Sequence, residues 1–232
     1  MSLFDLRRVP ETEVMDDSAE VEAYSSAAAQ EFLDRIDDTF ADHALRLLRG
    51  QKRGRALDIG CGPGRIALKL AGRLPLWKFI GVDRSAQMIA QARANLAAAN
   101  GVAGRVEFHL ADGNRLPFAD ASFDFVACNS VMHHVADPRG LLVEMARAAK
   151  PSAAILLRDL RRPGRLSYPF HVRWHGRRYS GAMRKLYRDS VGAAYTAPEL
   201  QSFLDSSTLS GARIFTHRST HLGVERPFQA GL

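Results

Sequence analysis

Leu57-Asp58-Ile59-Gly60-Cys61-Gly62-Pro63-Gly64 decides the fold of this 232-residue chain. A short apolar strand, Arg55–Ile59, runs into glycines at positions 60, 62 and 64. Ile66–Leu74 then reads as a helix that Pro75 stops. Glycine lacks a Cβ and tolerates positive φ, so such a strand–helix turn lets a ligand approach the backbone closely. The spacing is G-x-G-x-G, not the G-x-G-x-x-G of dinucleotide binders, which disfavours a nicotinamide-dependent dehydrogenase.

Outward from that turn the pattern alternates. Trp77–Val82 is a second strand, ending at Asp83, and Ser85 caps a helix with Met88, Ile89, Ala92 and Leu96 on one face. Val106–Leu110 is a third strand, followed by Asp112-Gly113. Phe123–Cys128 is a fourth, and Asp137-Pro138 opens a helix running to about Ala149. Ala153–Leu157 is a fifth, ending at Arg158-Asp159. Strands alternating with helices predict an α/β fold with a mostly parallel sheet covered on both faces. Ahead of it, Val21, Tyr24, Ala28, Phe32, Ile36 and Phe40 form a helical apolar stripe. Beyond it, Met183, Leu186, Tyr187 and Val191 suggest one helix, and Thr196-Ala197-Pro198-Glu199 a capping box. Ala212–Thr216 and Thr220–Glu225 read as last strands. The expected organisation is a single domain, 1–232. It comprises an N-terminal helical cap (1–49), a ligand-binding core (50–159), a helical lid (160–195) and a closing helix with the last strands (196–232).

The composition, 46% hydrophobic and 25% charged, is that of a globular protein and argues against wholesale disorder. No apolar run is long enough to span a membrane, and the opening residues lack a signal-peptide core. Two cysteines cannot build a disulfide framework or a four-cysteine zinc site, and the histidines show no metal-ligand spacing, so no metal is expected. Free thiols fit a cytoplasmic location. The net charge of +7 is unevenly spread. Residues 1–50 hold 5 basic and 12 acidic side chains, whereas 158–188 hold ten basic residues and one acid, Asp159.

Three strand ends share one rim: the glycine turn after strand one, Asp83 after strand two, Asp112 after strand three. A carboxylate at Asp83 can accept two hydrogen bonds from a ribose diol. One at Asp112 can accept from an adenine amine. Leu57–Gly64 resembles motif I of the class I S-adenosylmethionine-dependent methyltransferases. Gly81-Val82-Asp83 with Ser85 and Met88, Ala111-Asp112-Gly113 through Leu116-Pro117-Phe118, and Ser122-Phe123-Asp124 are similar to the motifs that follow. Asn129-Ser130-Val131-Met132-His133-His134-Val135-Ala136-Asp137-Pro138 resembles the fourth-strand exit of the small-molecule, ubiquinone-biosynthesis-like branch. The resemblance covers about residues 50–160.

It implies a Rossmann-like, seven-stranded sheet with an antiparallel last strand, and S-adenosylmethionine as cofactor with S-adenosylhomocysteine as product. It also implies roles. Asp58, Gly60, Cys61, Gly62 and Gly64 would face the amino-acid part of the cofactor, and Asp83 the ribose, with Arg84 and Met88 beside the adenosine. Asp112 and Gly113 would meet the adenine, and Asn129 and Ser130 the methionine part and the methyl group.

A sulfonium methyl is already activated, so the protein's task is to align an acceptor and exclude water. His133, His134 and Asp159, at the ends of strands four and five, are the catalytic candidates. The lid follows strand five and so emerges over the active edge. Its Tyr168, Phe170, His171, Trp174, Tyr179 and Tyr187 offer aromatic surface. Its Arg161, Arg162, Arg165, Arg173, Arg177, Arg178 and Arg188 offer charge for an anionic or aromatic small molecule. Tyr24, His171, Tyr187 and Arg188 are the acceptor candidates. The alternatives are an RNA methyltransferase, disfavoured because no RNA-binding module or Asn/Asp-Pro-Pro-Tyr exit is present, and a non-catalytic S-adenosylmethionine-binding protein.

Overall fold

The computed structural model describes residues 6–11, 27–135, 137–179 and 181–230. Helix α1 (Ala27–Leu48) precedes β1 (Gly54–Ile59), α2 (Arg65–Arg73), β2 (Trp77–Asp83), α3 (Ala86–Ala98), β3 (Val106–Leu110) and β4 (Phe123–Asn129). Then come α4 (Pro138–Ala148), β5 (Ala149–Leu160), α5 (Tyr168–His175), α6 (Gly181–Ala193), α7 (Ala197–Asp205), β6 (Arg213–His217) and β7 (His221–Arg226). The strands form one sheet in the order β3-β2-β1-β4-β5-β7-β6. All neighbours pair in parallel except β7, which runs against both β5 and β6. The Rossmann-like, doubly wound expectation with one reversed strand near the end holds.

Side-chain alternation along β1 shows why both faces are covered. Ala56 lies in a core with Phe40, Leu48, Leu70, Trp77 and Phe108. Leu57 and Ile59 lie in a second core with Val126, Leu141, Met145, Leu200 and Leu222. Period-two alternation sends neighbours to opposite faces, so a strand covered on both is mostly apolar, with Asp58 at the carboxyl end of β1 the buried exception.

Local signals held where the chemistry is local. Ser85 accepts from the Met88 amide at 3.2 Å, Asp137 from the Arg139 amide at 3.1 Å, and Thr196 and Glu199 form the reciprocal capping box. Packing accounts for part of the acidic N-terminal section: Asp34, Asp37 and Asp38 on α1 face Arg65 and Lys69 on α2, at 2.6–3.1 Å.

Two expectations need correction. The fifth strand does not end at Leu157; it continues to Leu160 because β7 supplies a ladder partner for every residue from Ile155 on, and Asp159 pairs with Leu222. The lid has two helices rather than one, α5 in addition to α6.

Candidate functional site

β1 lies between β2 and β4, so the chain leaves β1 toward one side and later returns to the other. The carboxyl ends of β1 and β4 diverge there into a crevice, the usual ligand position in such sheets. Two adjoining clefts occupy it, of about 360 Å³ and about 460 Å³. They share Asp37, Asn129, Ser130 and His134 as a common wall.

The smaller cleft gathers Asp58, Gly60, Cys61, Gly62, Asp83, Arg84, Met88, Asp112, Gly113, Asn129 and Ser130. Gly60 sits at φ +67, and a Cβ there would come within 2.3 Å of Val131. Only glycine permits β4's exit loop to close over the turn. Gly64 is placed differently from expectation: it is the N-cap of α2, does not line the cleft, and packs against Phe108, where a Cβ would sit 2.4 Å from the ring.

Asp83 is held by backbone amides, Gly62 at 2.8 Å and Ser85 at 2.9 Å. Asp83 lines the cleft, and burial raises its carboxyl above the ordinary range. Asp58 is buried, and its Oδ2 has no hydrogen-bond partner. Burial first, and then the like charges of Asp37 and Asp83, push its carboxyl up to about 8. Asp58 lines the cleft, and a buried carboxyl oxygen without a partner there is complementary to a ligand ammonium, because unpaired buried polar groups are costly. An acid for an ammonium, an acid on rigid amides for a diol, and a glycine turn between them fit S-adenosylmethionine.

The larger cleft lies under the lid. Trp174, Tyr179, Met183, Leu186 and Tyr187 line one side, and Leu33, Ile36 and Thr39 of α1 the other. The Tyr179 and Tyr187 rings lie 5.2 Å apart, tilted by 39°. Its cations are Arg35, Arg177 and Arg218; His175, His217 and His221 also line it, but burial lowers each of them toward the neutral imidazole. The basic run 158–188 therefore contributes less than its composition suggested. Arg162 is buried and donates to the Ala194 carbonyl and Glu199, both at 2.6 Å. Arg188 does not reach the cleft; it is exposed and pairs with the adjacent Asp189. His171 does not line the cleft either, but stands 3.5 Å behind the Tyr187 hydroxyl. Tyr24 lies outside the described residues.

At the shared wall, Ser130 has φ +58, a strained conformation for a residue with a side chain, and its amide donates to the Arg158 carbonyl at 2.8 Å. Arg158 is buried, its pKa pushed down to about 10 by desolvation. It donates to Asn129 Oδ1 at 3.1 Å, Thr39 Oγ1 at 2.8 Å and the Ile36 carbonyl at 3.0 Å. It thus ties α1 to the end of β4.

His133 Nδ1 stands 2.6 Å from Asp159, which also accepts the His133 amide at 3.0 Å and the Leu160 amide at 2.6 Å. Asp159 lines neither cleft, so its place is behind His133 rather than against a substrate. The His133 and Leu160 bonds hold Asp159 below the ordinary carboxylate range despite burial. Against desolvation, that carboxylate raises His133. His134, which lines both clefts, is pushed down to about 3 by burial and by His133.

Sequence reasoning missed the N-terminal segment. Arg8 donates to the Ala193 carbonyl at 2.6 Å and the His133 carbonyl at 3.0 Å and lies over the Tyr195 ring. It straps the lid helix to the histidine turn. Glu11 stands 3.6 Å from His134 Nδ1. No local pattern near residue 8 or 11 could have revealed partners more than a hundred residues away.

Residues 57–157 match the model of the methyltransferase domain. The ubiquinone/menaquinone biosynthesis C-methyltransferase UbiE of Geotalea daltonii is 32% identical over 59% of this chain, and the chain spans 60% of that relative's length. UbiE of Pseudomonas fluorescens is 28% identical over 91% of this chain and 84% of its own. Among solved structures, the plantazolicin methyltransferase BpumL, crystallised with a desmethyl analogue and S-adenosylhomocysteine, superposes with a TM-score of 0.68. Its identity is 17% over 92% of each chain.

Proposed function

We propose that this chain, whose residues 57–157 match the methyltransferase domain, is a class I S-adenosylmethionine-dependent methyltransferase that transfers a methyl group to a small-molecule acceptor by in-line displacement. The observation carrying the reading is the shared wall: a cofactor-shaped cleft and a larger cleft under the lid meet at Asn129, Ser130 and His134.

Bound S-adenosylmethionine supplies a methyl group activated on a sulfonium sulfur. In the smaller cleft Asp58 pairs with its ammonium, Asp83 holds the ribose hydroxyls, and Asp112 with Gly113 borders the adenine beside Met88 and Arg84. Asn129 and Ser130 border the reacting end. In the larger cleft, Tyr179, Tyr187 and Trp174 give a planar acceptor apolar contact, while Arg35, Arg177 and Arg218 favour negative charge. Alignment of the acceptor there supplies most of the acceleration. We assign the acceptor's proton to the histidine turn, with His133 oriented by Asp159.

In this reading residues 1–232 act as one unit, with 1–49 as cap and 160–195 as lid. No helix among the described residues is long and apolar enough to cross a membrane. Cys61 and Cys128 are unpaired and buried, which supports a cytoplasmic location. The test is calorimetry with S-adenosylhomocysteine, followed by a methyl-transfer screen of anionic aromatic acceptors. The expected result is one binding site and turnover confined to acceptors of that class; binding of NADH in place of the nucleoside would reject the reading.

A further inference from the structure

We propose that Glu11, His133 and His134 form a binding site for a divalent zinc-class ion, with an open coordination position toward the larger cleft. One ligand atom from each of the three lies within 4.8 Å of the other two. Two imidazoles and a carboxylate are the donor set of a catalytic zinc site, in which a fourth position stays free for water or substrate.

Four observations carry this. First, His134 Nδ1 is buried with no hydrogen-bond partner. Second, Glu11 Oε2 is 3.6 Å from it, too far for a hydrogen bond. Ligand atoms about 2.0–2.2 Å from a tetrahedral zinc stand roughly 3.4 Å apart, so the gap suits an ion between them. Third, Asp159 takes His133 Nδ1 at 2.6 Å and the His133 amide at 3.0 Å, fixing the ring and leaving Nε2 to carry the lone pair. A carboxylate behind a histidine is the arrangement that orients metal-binding imidazoles. Fourth, all three residues line the acceptor cleft, and the carboxylates of Glu11 and Asp159 together offset a divalent charge.

An ion there would occupy the imidazole nitrogens otherwise available to a proton. Its open position would take an acceptor oxygen, whose O–H bond breaks more readily on a cation, the proton passing to water in the cleft. The site itself does not depend on the methyl-transfer reading.

The experiment uses the full chain stripped with a chelator. Zinc titrated by calorimetry should bind with one equivalent, and cobalt should give the visible absorption of a tetrahedral site. Glu11→Gln should weaken zinc by at least about tenfold while its affinity for S-adenosylhomocysteine stays within about twofold, because Glu11 does not line the cofactor cleft. His134→Ala, checked for folding by its melting curve, should lose the tetrahedral cobalt spectrum. Absence of a stoichiometric site in the unaltered chain, or a site retained in both variants, overturns the proposal. Either result would leave nucleoside binding, and with it the methyl-transfer reading, to stand or fall on its own test.

Discussion

The sharpest consequence of the cofactor cleft concerns the proton on Asp58. A carboxyl pushed up to about 8 is mostly protonated in the ligand-free protein at neutral pH. A nucleoside whose ammonium pairs with it binds the ionised form. The ionised fraction is about 1% at pH 6, about 9% at pH 7 and about 50% at pH 8. Apparent affinity scales with the competent fraction. The Kd for S-adenosylhomocysteine should therefore fall about ninefold from pH 6 to 7 and about fivefold from pH 7 to 8. Calorimetry at pH 7 in buffers of different ionisation heat should show release of nearly one proton per site. Asp58→Asn should flatten this slope and lose most affinity at pH 8.

The stability of the empty protein should move the opposite way. An acid whose pKa is raised on folding keeps its proton in the native state after the unfolded chain has lost it. Its contribution is complete below about pH 4 and is lost as pH rises through about 8. The melting temperature of the empty protein should thus decline across that window, and Asp58→Asn should decline less while binding worse. A Kd constant between pH 6 and 8, with no proton released, would refute the reasoning: Asp58 would then already be ionised in the empty cleft.

Three further outcomes are expected. Asp83→Ala should weaken S-adenosylhomocysteine by at least about 100-fold, since two charge-assisted hydrogen bonds are worth about 3–6 kcal/mol together, and an unchanged Kd by calorimetry would remove Asp83 from the ribose role. Arg158→Met should cost about 2–4 kcal/mol in urea unfolding, because it leaves Asn129, Thr39 and the Ile36 carbonyl without their shared donor. Arg177→Ala and Arg218→Ala should each raise KM for an anionic acceptor several-fold and leave nucleoside affinity unchanged, since both line only the acceptor cleft, whereas Arg188→Ala should change neither.

The cofactor half was legible because its determinants are short-range. Strand β1, the glycine turn and the capped start of α3 are each specified within a few residues, and parallel topology then brings the ends of β1, β2 and β3 to one rim. Asp58, Asp83 and Asp112 could be placed there without knowing one side-chain contact. Even so, Gly64 looked identical in sequence to its neighbours, and packing alone gave it to Phe108.

The acceptor half was not legible, because long-range packing assigns its side chains. Arginines that looked equivalent in the lid separate into a buried strut at Arg162, an exposed pair at Arg188 and a cleft cation at Arg177 stacked on Trp174. Asp159 read as a strand-end acid, yet pairing with β7 keeps it in the ladder behind His133. Arg8 and Glu11 carried no local signal and reach the histidine turn only through the folded chain. Local propensity and two-residue periodicity act over a few residues and set elements and their order. Which polar groups lose their water, and which partner then compensates them, depends on surfaces that meet only after those elements pack.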